Sequence, residues 1–225
     1  MTHPAQETVT ASGAAASIVP IEAVPDAPMP GDMRQLLRRA TQRYHDRLDT
    51  SSLLAPLLLP EVGPAAYQAA MIAMLRTYCR VDACLQVPPA AQAGSAVTLA
   101  PYRPRSPAMQ SDLRAMGIAS LPTPPQAGAV LDLPVTLPAY LGMRYVIEGS
   151  QFGNRVIGRN LQLAFGAAAD DICSAWLPAA KTDEGWTSVM AALSGLETRR
   201  EVAAALRGAR QTFRYFVVNL CAPSA

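Results

Sequence analysis

Apolar residues recur at helical spacing along most of this chain. From Met33 to Thr50 the run MRQLLRRATQRYHDRLDT puts Leu37, Thr41, Tyr44 and Leu48 on one stripe, with His45 at its edge. Asp32 follows Pro30-Gly31 and suits a helix N-cap. A short apolar segment, Ser51 to Leu59, comes next and is stopped by Pro60. A second helix is expected from Pro64, a good first-turn residue, to just before Pro88-Pro89. It is apolar nearly all round and so reads as central. Ser106 to Met116 reads as a helix capped by Ser106 and closed by Gly117. Leu137 to Phe165 forms a long apolar pattern, Thr182 to Leu193 a shorter one, and Glu197 to Leu220 a last helix. No stretch alternates strictly between turn signals, as a half-buried strand would, and no internal repeat is present. The expected fold class is all-α, with six to eight helices and not a simple up-down bundle.

One feature of the long pattern resists a plain helix. Gly149, Gly153 and Gly158 fall inside it, within YVIEGSQFGNRVIG (Tyr145 to Gly158). A glycine inside a helix costs about 1 kcal/mol relative to alanine. Gly149 and Gly153 are four apart and share a face that carries no side chains. Bare backbone of that kind serves a helix–helix crossing, a bend, or the close approach of a large flat ligand.

Composition narrows the remaining chemistry. The chain has 225 residues, half of them hydrophobic, enough for one domain with a sizeable core. Met1 to about Pro30 is rich in Ala, Pro, Thr and Ser without a period and reads as a flexible tail, so the domain is expected over 31–225. A net charge of +2 gives no case for nucleic acid. Lys181 is the only lysine, so nearly all positive charge is arginine, the bias that GC-rich coding also produces. Cys79, Cys84, Cys173 and Cys221 show no metal-ligand spacing and read as reduced thiols. No basic segment leads into an apolar run at the N-terminus, and no apolar run reaches the roughly 20 residues that span a bilayer. A soluble cytoplasmic protein without membrane or nucleic-acid partners is expected.

His45 is the only histidine outside the tail, where His3 lies. One histidine excludes a multi-histidine zinc or di-iron site, and no GxSxG motif accompanies it. It can serve as a single axial ligand to a haem iron, or it is an ordinary half-buried helix histidine. Asp49, one turn on, can accept from the non-ligating ring nitrogen. Arg38 lies about 10 Å earlier along the axis, within reach of an anionic group on a large ligand. Both are equally explained as solvated charges.

These two stretches meet in one family. LLRRATQRYHDRLDT (Leu36 to Thr50) resembles the proximal helix of haem oxygenases, and YVIEGSQFGNRVIG resembles their distal helix in its bacterial form. Leu113 to Gly117 resembles a segment found between them in bacterial members, and the likeness runs from roughly Met33 to Leu220. The nearest branch is the bacterial, biliverdin-producing one associated with phytochromes. The resemblance implies the all-α haem oxygenase fold with a kinked distal helix, and haem as both substrate and cofactor. With O2 and electrons, haem would be opened to biliverdin, CO and iron. His45 would be the iron ligand. Arg38, Asp49, Tyr145, Arg210 and Arg214 would help to hold the haem, with Arg144 and Arg155 as further candidates for its propionates. Gly149, Ser150, Gly153 and Asn154 would form the catalytic distal face, where the two glycines let backbone lie against the macrocycle. The partners implied are an electron donor, such as a ferredoxin or a flavoprotein reductase, and a bacteriophytochrome that receives biliverdin.

The chain departs from the family in places. Ser150 stands where many members carry an aspartate that anchors distal water, although bacterial relatives with "EGS" share the serine. Asn154 replaces the second glycine of a "GG" pair, and Asp49 is shorter than the glutamate of some members. A member that binds haem without cleaving it is therefore the alternative. A haem-free enzyme on the same fold and a helical interaction module fit the motifs less well.

Overall fold

The computed structural model describes residues 32–89, 98–118, 131–177 and 184–221. The tail expected over Met1–Pro30, parts of both proline-rich connections and the expected helix start at Thr182 lie outside these residues. Eight α-helices occur among the described residues: α1 (Met33–Ser51), α2 (Pro64–Leu85), α3 (Ser106–Ala115), α4 (Leu137–Gly149), α5 (Gln151–Phe165), α6 (Ala169–Ile172), α7 (Glu184–Ser194) and α8 (Arg199–Leu220). The described residues contain no strand, only an isolated bridge between Ser52 and Cys221. The all-α expectation holds.

Several helix boundaries follow from local chemistry. The Asp32 side chain accepts from the Arg34 N–H and caps α1. Pro64 opens α2, where its missing N–H costs nothing. Thr198 and Glu201 form a reciprocal capping box at the start of α8.

The start of α3 differs from expectation. Ser106 is not the cap. The Arg105 and Ser106 N–H groups both donate to the buried Asp82 carboxylate of α2, at 3.1 and 2.8 Å to Oδ2. A carboxylate satisfies two of the orphan donors of a helix N-terminus at once, and it suits the positive end of the dipole. Asp112, near the other end of α3, is likewise buried. It accepts from Ser174 N at 3.0 Å and Ala175 N at 2.8 Å, so it fixes the turn after α6.

The helix α8 is the spine. Both α1 and α4 pack along it, and α1 meets the α4–α5 pair mainly through it. The contact with α4 is backbone on backbone: a Cβ on Gly142 would run into the Ala205 carbonyl, and one on Gly208 into the Ala139 carbonyl. The small residues bring two helices closer than ordinary side chains allow. At its far end, α8 is tied to the segment after α1, where Leu53 N donates to Leu220 O at 3.0 Å.

Candidate functional site

The first wall of the site is α1. Its stripe of Met33, Leu37, Thr41 and Leu48 is buried, which turns Arg38 and His45 outward. The His45 Nδ1 lies 2.9 Å from Asp49 Oδ2, and the two side chains are 57% and 47% exposed. A neutral ring that donates Nδ1–H to Asp49 keeps its Nε2 lone pair available. The ring centroid is 6.1 Å from that of Phe213 on α8, which supplies an apolar neighbour.

The second wall is the broken helix α4–α5. The break falls at Ser150, whose hydroxyl donates to the Ile147 carbonyl at 2.7 Å. Such back-bonding to the preceding turn bends helices. The bend is bridged by two backbone bonds, Ser150 N to Val146 O at 3.1 Å and Asn154 N to Ser150 O at 2.9 Å. Asn154 is half-buried at the start of α5.

The two glycines that share a face turn out to differ. A Cβ on Gly149 would sit 3.2 Å from the Trp186 indole of α7, whereas one on Gly153 would meet nothing within 4 Å. Trp186 also lies against Tyr145, with centroids 5.4 Å apart, and edge-on to Phe152 at 5.5 Å. A Cβ on Gly158 would stand 2.9 Å from the Trp176 carbonyl oxygen. Gly149 and Gly158 are therefore explained by helix packing, and Gly153 alone of the three presents open backbone.

Tyr145 joins the two walls. Burial pushes its phenol pKa up, and the nearby positive charges of Arg34 and Arg38 act against that shift. Arg34 and Arg38 of α1 are thus within electrostatic range of Tyr145 on α4. Arg210 and Arg214 are exposed on α8. Arg210 Nε donates to the Ala40 carbonyl of α1 at 3.3 Å, so part of its guanidinium binds the two helices together.

Of the two further arginines considered for propionates, Arg144 is placed elsewhere. Arg144 is 1% exposed. Its guanidinium donates to Glu148 Oε1 at 2.9 Å, the Tyr140 hydroxyl at 3.1 Å and the Ala100 carbonyl at 3.1 Å. It is committed to the interior and unavailable to a ligand. Arg155 is exposed on α5 and lies over the Phe152 ring at 5.5 Å.

The interior behind the break is polar. Glu148 receives Arg144 on one oxygen and, more loosely, Arg105 at 3.5 Å on the other. Tyr78 of α2 is buried beside Arg105, Ser150, Asp82 and Glu148, and burial raises its pKa most. The Tyr102 hydroxyl donates to Asp82 in the same cluster.

The sequence reading missed Trp186, Phe213, Arg34 and Tyr78 as neighbours of the site. For Trp186, Phe213 and Tyr78 the signal is tertiary, since each lies on a helix outside the two walls, whereas Arg34 lies on α1 one turn before Arg38. The spacing of Glu148 four residues after Arg144 was the one local sign that this arginine is paired.

Comparisons with known proteins agree on one family. No family model matches the chain. A curated relative from Xanthomonas campestris pv. campestris (strain 8004), described as a heme oxygenase, is 36% identical over 125 residues, which cover 54% of this chain and 70% of that protein. A solved structure of the NO- and CO-bound heme oxygenase from Neisseria meningitidis is similar in fold, with a TM-score of 0.58 and 21% identity over 82% of this chain and 88% of that one. Read with the all-α architecture and its broken helix, the match to the curated relative shows that the chain belongs to the haem oxygenase family.

Proposed function

We propose that this chain binds haem between α1 and the α4–α5 pair and opens it to biliverdin, CO and iron. The observation that carries the reading is His45, whose Nδ1 is held by Asp49 at 2.9 Å while the ring stays half exposed beside Phe213. The residues fit the group. His45 would hold the iron through Nε2, and Asp49, on Nδ1, would fix the tautomer and the ring plane. Bound haem supplies the iron at which O2 is activated, and it is itself the molecule cleaved.

The protein's own contribution is orientation. Arg34 and Arg38, within electrostatic range of Tyr145, give the propionates a cationic end, and Arg210 and Arg214 extend it along α8. Gly153 lets a flat ring lie on bare backbone. Phe213 gives the imidazole an apolar neighbour on the α8 side. Exposed arginines such as Arg39 and Arg207 suit an acidic electron donor, a ferredoxin or a flavoprotein. By the same reading the domain spans 31–225 and works in the cytoplasm. It belongs to the biliverdin-producing branch associated with phytochromes, and a bacteriophytochrome is the recipient of its product.

One observation favours a second reading, in which haem is bound but not cleaved. The Ser150 hydroxyl has a single proton, and it goes to Ile147 O. In that arrangement Ser150 can accept from a distal water but cannot donate to one.

The test is a haemin titration of wild type and His45→Ala, followed by ascorbate or a reductase under air. Biliverdin from wild type, with the haem spectrum lost in the variant, supports the oxygenase. A haem complex that survives reductant under air supports the second reading. A wild type that takes up no haemin overturns both.

A further inference from the structure

Trp186 touches both halves of the broken helix. Its indole lies 3.2 Å from the position a Cβ on Gly149 would take, 5.4 Å centroid to centroid from Tyr145, and 5.5 Å from Phe152. Tyr145, Gly149 and Phe152 are spaced four and three apart, so they form one stripe that runs across the break. The indole covers that stripe.

The helix that carries Trp186 is firmly held. Val189, Ala192 and Leu193 of α7 are buried. Ser188 Oγ accepts from Ala100 N at 3.1 Å. Gly185 is packed so closely on Glu148 that a Cβ there would stand 2.7 Å from its carboxylate oxygen. Glu148 is in turn fixed by the buried Arg144 at 2.9 Å. The indole therefore projects from a backbone with little freedom to retreat.

We propose that Trp186 is a specificity-determining stop, which sets how far the macrocycle slides in its own plane toward Gly149 and so fixes its seating over Gly153. The inference rests on the haem reading above. A flat ligand that entered from the Gly153 side would meet open backbone first and the indole next. Its edge would come to rest against Trp186, near Tyr145, Arg34 and Arg38. A macrocycle with a nearly symmetrical rim has several in-plane orientations of similar energy, and one rigid aromatic edge is enough to separate them. Which meso carbon faces the reactive side then follows from that contact. Trp186 acts here through position and touches no reacting atom.

The test uses the haem complex of the full chain with wild type, Trp186→Phe and Trp186→Ala. In the ferric cyanide form, proton NMR of the hyperfine-shifted haem methyls reads the in-plane seating directly, without turnover. Wild type should show one dominant methyl pattern. Trp186→Ala should change the ratio of seatings by about tenfold, which is about 1.4 kcal/mol, and shift the mixture of biliverdin isomers in parallel. Trp186→Phe, which keeps an aromatic edge, should restore most of the wild-type pattern, and it provides a folded variant should the alanine form fail to fold. An unchanged methyl pattern in Trp186→Ala or, should that variant fail to fold, the same pattern in Trp186→Leu as in Trp186→Phe, overturns the proposal while leaving haem binding intact. Failure of wild type to take up haemin overturns the haem reading first and this inference with it.

Discussion

The two halves of the broken helix both carry glycines but live in different surroundings. Nine of the 13 residues of α4 are buried, against four of the 15 in α5. In α4, Gly142 is pressed on α8 and Gly149 on Trp186, while Gly153 of α5 faces open space. The interior of α4 even holds a buried ion pair. Along α5, Phe152, Val156 and Leu163 are 44%, 50% and 67% exposed. A glycine in a helix is thus not in itself a sign of a ligand. At Gly142, Gly149 and Gly158 it is the mark of a neighbour already present, and at Gly153 it leaves room for another molecule.

The comparison can be broken most severely at Glu148. Glu148→Ala would strand the Arg144 guanidinium, which is 1% exposed, without its carboxylate. Removal of one partner of a buried pair costs about 3–5 kcal/mol, and chemical denaturation should read a loss of that size. Replacement of Arg159 by Ala in α5, which is exposed, should change stability by no more than about 0.5 kcal/mol. Equal losses at the two positions would erase the distinction between the halves.

Next in size is a pair of glycine substitutions with opposite signs. Gly142→Ala puts a methyl group into the Ala205 carbonyl and should destabilise by about 3 kcal/mol, the upper end of overpacking costs. Gly153→Ala meets nothing and should gain roughly 0.5–1 kcal/mol in the ligand-free protein from improved helix propensity. The same change should weaken turnover with haem, because a Cβ would then stand on the open face. A stabilised Gly153→Ala with undiminished biliverdin yield would remove Gly153 from the site and keep it only as a helix residue.

The smallest effect lies at the start of α8. Thr198→Ala should cost about 1 kcal/mol as a lost cap. Hydrogen bonds from the Thr198 backbone N–H, and then from its hydroxyl, hold the Glu201 carboxyl below its usual pKa. A carboxyl lowered in the folded state stabilises above its unfolded pKa, and that contribution is lost as pH falls through the lowered value. The penalty of Thr198→Ala should therefore shrink in acid, as denaturation curves at neutral and low pH would show.

What could be read from the sequence was what is local. The Asp32 cap, the Pro64 start and the stripe on α1 need only residues within a turn or two, and the structure reproduces them. The His45–Asp49 contact is of the same kind, one turn apart. The cap of α3 was misplaced because its acceptor, Asp82, is 23 residues from Arg105 in the chain. Arg144 stayed open as a propionate partner because the face it takes depends on the kink; Tyr140 and Glu148 are each one turn away, but Ala100, which closes the cluster, is 44 residues off. The reason for Gly149 was invisible for the same cause: Trp186 stands on another helix.

The moorings of α1 have a mechanical consequence. Its middle is tied to α8 by Arg210 to Ala40 O, and the residues just beyond its end by Leu53 N to Leu220 O. On the opposite wall the later half of α5 is tied by Asn160 Nδ2 to Leu57 O at 3.1 Å, while none of the residues of its first turn, 151–154, is buried. The compliance of the cleft is therefore lopsided. Local opening should run through the first turn of α5, and its amide hydrogens should exchange with solvent faster than those of α1 or α4. The histidine side is the anvil, and the glycine side is the part that gives.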